Sequence, residues 1–90
     1  MALKGLLTLD LNGVTREQRD IFYDYLKKVK WTKIANIDTA WKCTFNESSN
    51  RLRAINICKS DVKEGARLAK ISSIKSVVQV AEDNVEEFVL

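Results

Sequence analysis

The sequence predicts a single α+β domain in which a strand–helix–strand unit occurs twice. Three observations carry that prediction. Segments with a period of two in apolar residues stand near the start, the middle and the end of the chain. Two segments with helical spacing follow capping signals. The 90 residues suffice for one sheet covered by two helices and not for a second core.

The first strand spans residues 4–11, where Leu7, Leu9 and Leu11 alternate with Thr8 and Asp10 as a pleated surface requires. Asn12-Gly13 signals a turn. Thr15 then opens a helix, and Gln18 stands at capping-box spacing from it. Ile21, Phe22, Tyr25, Leu26 and Val29 form one apolar stripe on that helix, which runs to about Lys30. A second strand is clearest over residues 39–45, with Trp41, Cys43 and Phe45 on one side and Ala40, Lys42 and Thr44 on the other. Residues 34–38 lead into it. The polar residues 46–50 have the length of a wide hairpin connection.

Residues 51–58 read as the third strand, with imperfect alternation: Leu52 and Ala54 share one parity, Ile55 and Ile57 the other. Either a bulge or burial on both faces accounts for that. Ser60 or Asp61 caps a second helix, and Glu64 stands at capping-box spacing from Asp61. Gly65 sits inside this helix, where it permits close approach to the sheet. Residues 75–81, with Val77, Val78 and Val80, form the fourth strand. Residues 82–90 form a last helical turn or a short fifth strand. Phe88, Val89 and Leu90 are too apolar to be left in water and are expected to dock on this domain or on a partner. The order strand, helix, strand, strand, helix, strand is the split βαβ, ferredoxin-like arrangement. It implies a four-stranded antiparallel sheet with both helices on one face.

Composition narrows the chemistry. The chain has no histidine, which removes Ser-His and Cys-His nucleophile pairs, helical zinc sites of the HExxH type and any imidazole base. Two cysteines, Cys43 and Cys58, do not make a four-cysteine zinc site. They read as buried small hydrophobes, reduced in a cytoplasmic protein, with a disulfide between them as the alternative. No stretch has the apolar length of a membrane span, and the start lacks the apolar run of a signal peptide.

Charge is unevenly distributed. Residues 27–59 carry eight basic and two acidic side chains, a net of +6, and the rest of the chain carries −3. A one-sided basic region is the electrostatic footprint of a nucleic-acid binder, although a solvated lysine face also keeps a protein soluble. Lys33, Lys42, Arg51 and Arg53 are the candidate phosphate contacts, the last three on neighbouring strands. The acidic tail, with Glu82, Asp83, Glu86 and Glu87, equally suits the basic face of a second subunit.

A two-layer domain leaves one sheet face open, with Leu6, Thr8 and Asp10 pointing to it. Asp10 then stands at the rim of that face, where an aspartate also serves as a turn partner. Trp31 and Trp41 suit core packing or, on an open face, base stacking. The third strand carries none of the aromatics that RNA-recognition modules of this fold use there.

Leu9-Asp10-Leu11-Asn12, a tryptophan soon after the first helix (Trp31) and the run Asp38-Thr39-Ala40-Trp41 resemble the small CRISPR-associated ferredoxin-like nucleases. They are also similar to the endoribonuclease antitoxins of type V toxin–antitoxin systems. The resemblance implies a homodimer in which the two Asp10 side chains meet and bind a metal ion for RNA cleavage. The residue before that aspartate is often aromatic in the family and is Leu9 here. Mg²⁺ is the expected cofactor, because a hard cation takes oxygen ligands, activates water and neutralises a scissile phosphate. The other reading is a non-catalytic interaction or dimerisation module that uses the open sheet face and the apolar tail.

Overall fold

The computed structural model describes residues 2–90. Strand β1 (Lys4–Asp10) leads to helix α1 (Arg16–Lys28), a two-residue strand β2 (Thr32–Lys33) and strand β3 (Ala40–Thr44). Helix α2 (Arg51–Ala69) and strand β4 (Lys75–Ala81) follow. The sheet order is β2-β3-β1-β4 with every pair antiparallel. This is the ferredoxin-like split βαβ topology that the sequence predicts.

The strand pattern sorts the two faces. Gly5, Leu7 and Leu9 are buried under the helices, and Leu7 lies between Trp41 of β3 and Val78 of β4. The core adds Phe22, Leu26, Ala54, Cys58, Ala69 and Val80. Both tryptophans belong to it. Trp41 is fully buried and meets the Tyr23 ring edge-on at 4.9 Å. Trp31 meets Phe45 in the same way at 6.3 Å.

Helix α1 starts as its capping signal dictates. The Thr15 hydroxyl accepts the Gln18 N–H at 3.1 Å, and the Gln18 side-chain oxygen accepts the Thr15 N–H at 3.0 Å. The Gln18 amide nitrogen donates to the Lys70 carbonyl at 3.0 Å, which ties the start of α1 to the end of α2.

Residues 51–58 correct the sequence reading: they are the first half of α2, a helix of 19 residues, and not a strand. Its start is set by Asn50, whose side chain accepts the Arg53 N–H at 2.8 Å. Ala54, Cys58, Gly65 and Ala69 are the buried positions, spaced by helical turns. A strand period and a helical period both fit so short a run, and the cap at Asn50 decides between them. The hairpin moves accordingly. It joins β2 to β3 across residues 34–39, and residues 46–50 lead into a helix. Ser60 and Asp61 lie inside α2 and cap nothing. Asp61 instead accepts the Trp31 indole N–H at 2.9 Å.

Gly65 permits close approach, but to α1 and not to the sheet. A Cβ there would stand 2.9 Å from the Phe22 ring. Cys43 and Cys58 are both free thiols, so the disulfide alternative falls away. Residues 82–90 take neither a helical nor a strand form.

Candidate functional site

Asp10 ends β1 on the open face, as its parity predicts, and is exposed. One of its carboxylate oxygens accepts the Asn12 N–H at 3.0 Å. That bond is the usual work of an aspartate two residues before a turn position, and it shapes the Asn12-Gly13 corner. Gly13 takes a positive φ of 84° there, which glycine adopts without steric cost. Among the described residues, no group of three or more His, Cys, Asp or Glu side chains is placed to hold a metal ion. One chain therefore offers a single, partly engaged carboxylate at this strand end.

The four candidate phosphate contacts do not converge. Lys33 stands on β2 with its ammonium 3.6 Å from Asp38 across the hairpin, an exposed pair. Arg51 and Arg53 belong to the first turn of α2 and not to strands beside Lys42. Arg51 lines a shallow cleft with Leu3, Val80 and Glu82, while Arg53 lines a different one with Asn56 and Ile57.

Lys42 is the exception. It stands on the open face of β3 opposite Leu6. Lys4, Lys30, Thr32 and Thr44 join it around a cleft of about 500 Å³. Register explains the grouping. Lys4 pairs with Thr44 and Thr32 pairs with Lys42, so all four point to one side of the sheet. Lys30 arrives from the end of α1, where the chain turns with φ of 79°. The Lys30 N–H donates to Lys27 and the Trp31 N–H to Leu26, closing the helix end. A glycine takes this left-handed conformation more cheaply than lysine does.

The cleft already holds an anion. Asn84 and Val85 of the tail lie along it, and the Glu87 carboxylate is ion-paired with the Lys42 ammonium. Sequence reading singled out neither Lys4 nor Lys30 as a site residue. The signal that finds them is strand register, which a single sequence does not show.

Four of the remaining titratable groups pack towards the interior. Burial pushes the Cys43 and Cys58 thiols up to about 12, far from the reactive thiolate range. Burial also raises the Asp61 carboxyl, against the opposing effect of the Trp31 hydrogen bond. Tyr23 donates its hydroxyl to the Asp38 carbonyl, and burial raises its phenol. Among the described residues, no helix is long and apolar enough to cross a membrane.

Comparison with known proteins adds no relative: no family model, no curated protein and no solved structure matches the chain.

Proposed function

We propose that this domain binds the phosphate backbone of single-stranded RNA in the cleft of Lys4, Lys30 and Lys42. The observation that carries the reading is that three lysines and two threonines, from β1, β2, β3 and the α1 end, line one cleft; the Lys4 ammonium also reaches the Ala2 carbonyl at 3.5 Å. Ammonium groups and hydroxyls are the usual donors to phosphate oxygens. The carboxylate of Glu87 on Lys42 supports the choice of an anionic ligand.

The open face also supports a particular mode of binding. Its strand positions are Lys4, Leu6, Thr8 and Asp10 in β1, Ala40, Lys42 and Thr44 in β3, and Lys75, Val77, Gln79 and Ala81 in β4. None is aromatic, so the strands offer no platform for stacking bases. Backbone contacts alone give binding that is steep in salt and indifferent to sequence. Binding without cleavage is the version the geometry favours, because Asp10 supplies one carboxylate already engaged in its own turn.

The test is anisotropy of a labelled 12-nucleotide oligouridine RNA titrated with the full chain at 50 mM salt. Saturable binding is expected, weakened about fivefold by Lys42→Ala and again by Lys30→Ala, each removing one phosphate contact. No binding, or an unchanged affinity in Lys42→Ala, would overturn the reading. Mg²⁺-dependent cleavage of the RNA that is lost in Asp10→Ala would replace it with the nuclease reading.

A further inference from the structure

A second basic surface lies on the other side of the sheet, where α2 meets β4. It is a groove of about 650 Å³. Its apolar wall includes Val62, Ala66, Ile71, Ile74 and Val78, and Lys59, Lys63 and Lys75 stand around it. No carboxylate lines it. Beside it, β4 is the last strand of the sheet, so the outer side of its backbone is unpaired. The Ser76 hydroxyl at the groove is buried and has no hydrogen-bond partner among the described residues. A long unpaired edge next to an apolar groove is a surface that a protein normally covers.

The chain carries a segment of matching chemistry. Residues 85–90 place Glu86 beside Phe88, Val89 and Leu90. These three apolar side chains are the most exposed large hydrophobics of the structure, at 79%, 90% and 110%. Their own groove is not within their present course. The tail leaves β4 across the open face, and Glu87 is held by Lys42 of β3, on the far side of β1 from β4. The apolar end therefore projects from the molecule towards whatever comes next to it.

We infer that the groove between α2 and β4 receives the acidic-apolar tail of a second copy of this chain. Phe88, Val89 and Leu90 lie against the apolar wall, and Glu86 meets the lysines around it. The backbone of the arriving segment supplies partners for the outer side of β4. The contact is reciprocal under two-fold symmetry, each tail in the other's groove, so the assembly closes as a dimer. The groove is separate from the lysine cleft, but the tail that fills it also carries Glu87, the partner of Lys42, so Ala66→Glu, and not the tail deletion, tests the inference apart from RNA binding.

Sedimentation equilibrium of the full chain at 100 µM is expected to give twice the chain mass. Deleting residues 85–90 is expected to give the single-chain mass with an unchanged circular dichroism spectrum. Ala66→Glu, which places bulk and negative charge in the groove, is expected to do the same. A labelled peptide of residues 82–90 is expected to bind the truncated chain saturably and to fail on truncated Ala66→Glu. A monomeric full chain, or a dimer that survives both changes, would overturn the inference. So would a loss of RNA affinity in Ala66→Glu with no change of mass, which would assign the groove to nucleic acid.

Discussion

The two basic surfaces of this domain differ in what lies between their lysines. In the cleft on the open face, Lys4, Lys30 and Lys42 stand among the hydroxyls of Thr32 and Thr44. In the groove between α2 and β4, Lys59, Lys63 and Lys75 surround valine, alanine and isoleucine side chains. Charge alone attracts any anion to either place. The surface between the charges decides which anion stays. A polar floor suits a hydrated phosphate backbone, whereas an apolar wall gains only from a ligand that brings hydrocarbon to bury. The net charge of the chain therefore says little about its partners until the lysines are sorted by surroundings.

The strongest way to break this comparison is to remove the scaffold that both surfaces share. Phe22 and Trp41 are fully buried at the centre of the core. Trp41→Ala is expected to cost about 3–5 kcal/mol, measured by urea unfolding, and to weaken both proposed interactions together. Gly65→Ala comes next. The added Cβ would stand 2.9 Å from the Phe22 ring, and packing of α2 on α1 is expected to lose about 1–3 kcal/mol. Because α2 forms one wall of the groove, this change is expected to affect dimer mass more than RNA affinity.

Lys30 sharpens the comparison from the other surface. Lys30→Gly relieves the positive φ at the end of α1 and is expected to stabilise the fold by about 1 kcal/mol. It also removes a cleft ammonium, so RNA affinity is expected to fall as stability rises, with dimer mass unchanged. The smallest effect belongs to Glu87. Its pair with Lys42 is partly exposed, so Glu87→Gln is expected to tighten RNA binding only about twofold, in line with roughly 0.5 kcal/mol for such a pair.

The pH dependence of stability follows from the half-buried Asp61 and the two thiols. Burial holds the Asp61 carboxyl above its ordinary value, so the folded state keeps the proton more tightly than the unfolded chain. This contribution is fully present below the ordinary carboxyl value and is lost as pH rises from there through the raised value of the folded state. Asp61→Asn keeps an acceptor for the Trp31 indole and is expected to raise Tm at pH 7 but not at pH 3. The two thiols behave alike at the other extreme. Their stabilising effect is lost as pH rises from about 9 towards about 12, so alkaline unfolding is expected to sharpen in that window.

Much of the fold was legible in the sequence because its signals are local. Thr15 with Gln18, the Leu7–Leu9 alternation and the glycine turn after Asp10 each state their structure within a few residues. Residues 51–58 read as a strand because β-branched and small residues there satisfy two periods at once. Asn50 decides the matter through a single capping bond. The element order survived that error because β2, only two residues long, fills the place of the missing strand. The candidate site was less legible. Lys42 was named from charge, but its companions Lys4 and Lys30 come from 38 and 12 positions away, and only register and a helix end bring them together.

The most direct measurement is the salt dependence of RNA affinity for the full chain and for Lys42→Ala. For three phosphate contacts on a single strand, log affinity against log salt is expected to fall with a slope of about −2, and with about −1.4 in the variant. A flat dependence, or equal slopes for the two proteins, would contradict the assignment of the cleft to a phosphate backbone.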